Sequence, residues 1–180
     1  MRPTGAGKTT CALELARREG ALRFTVDEWM REFFWPDDPQ PLTYEWALER
    51  RERCERHALS LAAQVLALNG GGADGGDPAK SALEVILDFG FFTRGQRRGM
   101  SAELSAQGWT VRLHYLDLPA DERWRRVSLR NGERGETYAL QVTRGMFDFC
   151  EDLFEPPDAS ELEEAVVVGG SETARGPMRG

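Results

Sequence analysis

Residues Met1–Thr10, MRPTGAGKTT, decide how the chain is read. Gly5-Ala6-Gly7-Lys8-Thr9-Thr10 matches the second half of the pattern G-x-x-x-x-G-K-[ST], a phosphate-binding loop. Glycines let main-chain N–H groups curl around phosphate oxygens, Lys8 reaches the terminal phosphates, and the hydroxyl of Thr9 suits Mg²⁺. Cys11–Arg18 (CALELARR) continues as a good helix former, and the start of a helix adds a positive dipole end and unpaired N–H groups. Two features depart from the pattern. Its first glycine falls at Arg2, and the strand that leads into such a loop is missing ahead of it. The alternative reading is a glycine-rich helix start with no ligand.

Working outward, Ala21–Val26 (ALRFTV) and Leu83–Leu87 (LEVIL) read as strands, and each is followed by a carboxylate. In an open α/β sheet ligands bind beyond the carboxyl ends of the strands. Asp27 therefore stands where a catalytic carboxylate is expected, with a helix N-cap as the other reading. Asp88 fits the second element of a phosphate-loop site, which supports Mg²⁺ directly or through water, or it simply ends a strand at a turn. Thr110–Leu116 and Glu164–Val168 are the remaining strand candidates. Strands alternating with helices predict an α/β, three-layer domain with a parallel sheet covered on both faces.

Asp27–Trp35 reads as a short helix stopped by Pro36. Thr43–Leu68 carries Ala47, Cys54, Ala58, Leu61, Val65 and Leu68 at helical spacing, with charge pairs Glu49–Arg53 and Glu52–Arg56 in its first half. That charged run, which includes His57, reads as a solvated face, and Trp46 as either core or rim. Asn69–Lys80 (NGGGADGGDPAK) has the composition of a flexible surface insert. Phe89, Phe91 and Phe92 read as core, the alternative being the wall of a substrate pocket. Thr93 caps a helix over Arg94–Gln107 whose first turns hold Arg94, Arg97 and Arg98. Cations oppose the dipole there, so they need an anionic substrate, an acidic neighbour or exposure. Exposure is the reading for Arg97 and Arg98, and Arg94 is the candidate for a substrate anion. On Ala120–Arg130, Arg123, Arg126 and Arg130 share one face, and the loop Asn131–Glu136 follows. This suits a lid whose arginines neutralise charge during phosphoryl transfer, the alternative being an ordinary salt-bridged helix with a Glu122–Arg126 pair. Thr143 caps a helix over Arg144–Phe154, and Gly169–Gly180 has the composition of a disordered tail.

Composition removes several classes. A chain of 180 residues with 41% hydrophobic and 29% charged residues is of single-domain size and ordinary for a globular protein. No apolar run approaches membrane-spanning length and no signal peptide precedes the domain, so a cytoplasmic setting is expected. Cys11, Cys54 and Cys150 lie far apart without a CxxC, which argues against a zinc site or disulfide framework. The formal charge of −7 argues against a general nucleic-acid binder, though a small basic site is compatible with it.

The stretches PTGAGKTT, TVDEWM, VILDFGFFTRGQRR, LHYLDLPADERWRRVSLRN and VTRGMFDFCEDLFEPPD together resemble the P-loop kinase-like group of AAA family ATPases and ATP-binding proteins. Its relatives include zeta toxin kinases, chloramphenicol phosphotransferase and polynucleotide kinase. The resemblance implies an ATP site at Gly5, Ala6, Gly7, Lys8, Thr9 and Thr10, a substrate-activating carboxylate at Asp27, and lid arginines at Arg126 and Arg130. It places Asp88 and Arg94 near the transferred phosphate. It also implies a sheet ordered 2-3-1-4-5, with the first, central strand missing from this chain, so the chain is expected to be N-terminally truncated relative to the family. The expected domain is 1–168, with the insert at 69–80, a lid at about 120–142 and the tail at 169–180. The implied function is Mg²⁺-dependent transfer of the ATP γ-phosphoryl group to a hydroxyl of a small molecule. The alternatives are a nucleotide-binding module without turnover and a polynucleotide end-kinase.

Overall fold

The computed structural model describes residues 4–39, 41–70, 83–133 and 141–169 and is mixed α/β with parallel strands. The chain divides into two compact units: Met1–Lys8 with Gly90–Gly135 and Val142–Gly180, and Thr9–Phe89 with Glu136–Gln141. Helix α1 (Lys8–Glu19) leaves the loop and is closed by Gly20 at φ 64, a left-handed residue that glycine adopts without steric cost.

In the Thr9–Phe89 unit, β1 (Leu22–Thr25) leads into α2 (Val26–Phe33), a 3-10 turn at Trp35–Asp37, the long helix α3 (Tyr44–Gly70) and β2 (Val85–Asp88). Parallel neighbours cannot be joined by a hairpin, and α3 supplies the crossover. The register pairs Leu22 with Val85, Arg23 with Ile86, Phe24 with Leu87 and Thr25 with Asp88. Helix α3 packs on both strands and on α2. Its contact stripe is small: Cys54, Ala58 and Ala62 are buried, so the helix backbone approaches closely. Val26 and Met30, one turn apart on α2, are buried with them. The expected stripe fails at its end, where Leu68 is 79% exposed. Asn69 and Gly70 complete α3, and the rest of the expected insert lies outside the described residues. Strand β2 is shorter than LEVIL and half-buried along its length.

In the other unit, α4 (Arg94–Ala106) starts with a capping box. Thr93 accepts from the Gln96 backbone, and the Gln96 side chain accepts from the Thr93 N–H. Gly108, at φ 84, closes it. Then come β3 (His114–Leu116), α5 (Ala120–Glu133), α6 (Arg144–Asp152) capped by Thr143, α7 (Ala159–Glu164) and β4 (Val166–Val168). Strands β3 and β4 pair in parallel. Phe147 and Val127 are the most buried side chains of this unit, and Leu104, Tyr115 and Leu116 are buried as well.

Several expected boundaries are corrected. Only three residues of Thr110–Leu116 form a strand, because β4 offers three partners. Glu164 belongs to a helix, not a strand. Asp158 and Glu161 form a capping box that starts α7, and the β-branched Val166–Val168 run ends it. Asn131 to Glu133 are helical, not loop, and the Asn131 side-chain amide exchanges two hydrogen bonds with the Val142 backbone at 2.8 and 3.2 Å. Residues 134–140 of the expected lid, and the tail beyond Gly169, lie outside the described residues.

Candidate active site

The loop conformation follows from its glycines. Gly5 and Gly7 stand at φ 84 and 82, where L side chains are strained. Gly5 is also pressed against α5: a Cβ there would lie 2.5 Å from the carbonyl oxygen of Arg123 and 2.8 Å from Val127 Cγ2. Gly7 has room, and the nearest neighbour to a Cβ built on it is the Arg126 guanidinium, at 3.8 Å. The first turn of α1 contains no acidic residue. An N-terminal helix turn with Lys8, Thr9 and Thr10 and no carboxylate of its own fits a polyphosphate.

Arg126 reaches over the loop from the exposed side of α5, with its Nε on Glu122 at 2.8 Å. Arg125 binds the same carboxylate at 2.8 Å. Hydrogen bonds from Arg125 and Arg126 hold the Glu122 carboxyl down at about 2. Arg130 is half-buried one turn further on. The three arginines expected on one face therefore separate: Arg123 is buried, while Arg126 is exposed. Arg123 donates to the Leu118 carbonyl at 3.1 Å and the Thr4 carbonyl at 3.5 Å, and both oxygens of Glu151 accept from its guanidinium.

Arg94 lies at the start of α4, but its side chain faces carboxylates, with Nε 3.4 Å from Asp158 and 3.7 Å from Glu161. Acidic neighbours are present, and so is exposure, since the Arg94 side chain is 43% exposed. Arg97, expected at the surface, is 4% exposed. It binds both oxygens of Glu161, at 2.7 and 2.9 Å, and the Glu155 carbonyl at 2.8 Å. Arg98 is exposed as expected, on Asp158 at 2.8 Å.

In the Thr9–Phe89 unit, Asp27 lies inside the first turn of α2, and Thr25, not Asp27, occupies the N-cap position. The Asp27 side chain is 60% exposed, with Arg51 of α3 at 3.6 Å. Arg51 also holds Glu55 at 2.9 Å, and burial pushes the Glu55 carboxyl up against the opposing pull of that arginine. Asp88 ends β2 with its side chain only 6% exposed and paired to Arg23 of β1 at 3.0 Å. Arg23 also binds Glu28. Beside Asp88 in register, the Thr25 hydroxyl is buried with no hydrogen-bond partner. Residues of α2, its C-terminal end and α3 line a groove of about 340 Å³: Trp29, Phe33, Phe34, Arg53, Cys54 and His57. Trp46 is rim, half-buried against Trp35 and beneath Arg50.

Sequence reasoning missed Arg23, Arg51 and the Arg123–Glu151 pair. Arg23 carried one signal, a charge within a short strand on the same face as Thr25. Its partner Asp88, 65 positions away, is visible only after folding. Among the described residues no cluster of three or more His, Cys, Asp or Glu side chains is placed to hold a metal ion. None of their helices is long and apolar enough to cross a membrane.

A left-handed glycine loop opening onto a helix, with an arginine over it, is a P-loop arrangement. A family model described as AAA domain matches residues 3–157. The chain belongs to this P-loop kinase-like AAA family. That makes it a P-loop-type nucleotide-binding domain, of a family that includes kinases and NTPases. No curated protein and no solved structure matches the chain.

Proposed function

We propose that this AAA-family protein is a cytoplasmic, Mg²⁺-dependent phosphotransferase that moves the ATP γ-phosphoryl group to a hydroxyl of a small molecule. The observation that carries the reading is the Arg126 guanidinium beside Gly7 of the phosphate loop. When bound, ATP with Mg²⁺ supplies the transferable phosphoryl group and a stable ADP leaving group. The chain does the rest. Lys8 and the main chain of Gly5, Ala6, Gly7, Thr9 and Thr10 hold the phosphates. The Thr9 hydroxyl and the Asp88 carboxylate are the groups that would hold the metal, with Asp88 kept in place by Arg23. Asp27, exposed at the head of α2, accepts the proton of the acceptor hydroxyl as its oxygen bonds to phosphorus. Arg126 and Arg130, on the lid helix α5, neutralise charge as it moves to the leaving oxygen. Arg94, 43% exposed beside Asp158 and Glu161, is the cation for an anionic part of the acceptor.

The sheet order 2-3-1-4-5 belongs to the proposal. With β1 to β4 counted as its strands 2 to 5, the parallel pairs β1–β2 and β3–β4 are compatible with it. A second reading, nucleotide binding without turnover, has one observation in its favour: the Arg23 cation already neutralises Asp88 at 3.0 Å. Labelled ATP with Mg²⁺ and a library of small alcohols, sugars and nucleosides tests both. Label transfer that Asp27→Asn abolishes supports the phosphotransferase. ATP binding in calorimetry with no transfer to any acceptor supports the second reading.

A further inference from the structure

The geometry points to Arg123 as a positioning residue that ties the phosphate loop to the lid helix and so sets Arg126 over the phosphates, an inference that rests on the nucleotide-binding reading of the loop. A guanidinium carries five N–H donors in a rigid fork, and in a 2%-exposed position each unsatisfied donor is costly. Arg123 places its donors on three separate segments. Nε binds the Leu118 carbonyl just ahead of α5 at 3.1 Å, and Nη1 reaches the Thr4 carbonyl at the mouth of the loop at 3.5 Å. Both nitrogens of its outer edge bind the Glu151 carboxylate of α6, while the guanidinium lies 5.4 Å from the Phe147 ring centre. The fork is thereby fixed in direction, and Thr4 is fixed with it.

Gly5 seals the same joint from the other side. Its left-handed backbone leaves no space for a Cβ between the Arg123 carbonyl and Val127. Loop and helix are therefore in contact at two consecutive loop residues. Arg126 leaves α5 three positions after Arg123, nearly one turn on, and stands over Gly7. A shift of the loop against α5 would move Gly7 and Arg126 apart. Main-chain donors and arginines stabilise phosphoryl transfer only when held where charge develops. Lysine at 123 keeps the charge but cannot bind Glu151 in two places and still reach Leu118 and Thr4.

The test compares Arg123→Lys with Glu161→Gln, which breaks the other buried arginine pair of the same unit without touching the loop. ATP·Mg²⁺ affinity is measured by calorimetry well below each melting temperature, and amide exchange is followed at Ala6–Lys8. Both variants are expected to melt lower. Arg123→Lys weakens ATP binding by about tenfold, on the order of 1.4 kcal/mol, and speeds loop exchange by a similar factor. Glu161→Gln changes neither. Should Arg123→Lys not fold, Glu151→Gln, which frees one edge of the same fork, takes its place with the same expectation. Unchanged affinity and exchange in the Arg123 or Glu151 variant would overturn the inference. If the wild type binds no ATP, the nucleotide reading falls, and loop exchange alone still decides whether Arg123 holds the loop.

Discussion

Helices α4 and α5 each hold one buried arginine and, close by in sequence, an exposed one. Arg97 and Arg123 are buried at 4% and 2% exposure, each gripping a distant carboxylate with its fork. Arg98 and Arg126, one and three positions further on, lie at the surface on Asp158 and Glu122. A buried guanidinium must satisfy its donors on the protein, so it becomes a fixed tie whose loss strands a partner charge. An exposed pair contributes little and exchanges partners readily, so its arginine remains able to meet an incoming anion. Position around the helix, rather than residue type or proximity in sequence, divides the arginines that hold this fold from those that can do chemistry.

The largest expected effect sets the scale. Lys8→Ala removes the cation of the loop and lowers phosphoryl transfer by on the order of 10³, with the melting temperature unchanged. Transfer at the wild-type rate would place the chemistry away from the loop and leave the arginine comparison without a functional side.

Glu161→Gln is the sharpest break on the buried side. It leaves Arg97 without its charge partner and is expected to cost about 3–5 kcal/mol in denaturant unfolding. The same pair has a pH signature. Hydrogen bonding from Arg97 holds the Glu161 carboxyl below its usual 4.5. A carboxyl lowered in the folded state contributes stability that is present above 4.5 and lost as pH falls through the lower folded value. Melting temperature followed downward from 4.5 should fall less steeply in Glu161→Gln than in the wild type. Equal slopes would show that the pair is not the source.

Arg126→Ala should reverse the pattern: about 10²-fold slower transfer with stability within about 1 kcal/mol of wild type. A large loss of stability with unchanged kcat would move Arg126 into the class of Arg97. Arg98→Ala is the small end of the series, expected within about 0.5 kcal/mol and without effect on transfer, read by the same two assays.

The features legible in the sequence are those carried by neighbours along the chain. The loop of Gly5–Thr10, the caps at Thr93 and Thr143 and the Glu122–Arg126 pair each need only a few consecutive residues, and each stands in the structure. The capping box of Asp158 and Glu161 is equally local but is missing from the sequence reading, which starts the strand at Glu164, the last residue of α7. What was not legible joins distant positions. Arg23 meets Asp88 across 65 residues and Arg97 meets Glu161 across 64, and no spacing rule reports such a meeting.

By itself, then, the sequence determined the alternation of strands and helices, the glycine loop ahead of α1 and the carboxylate that closes β2, because backbone preference and capping act over a turn or two. Tertiary structure alone decided which arginines lie inside, which carboxylate each one neutralises, and that Asp27 stays open while Asp88 is covered. Burial and the pairing of charges are properties of packed surfaces, and those surfaces exist only once α3 has crossed between its strands and the chain has brought α4 to α7, α5 to α6 and β1 to β2.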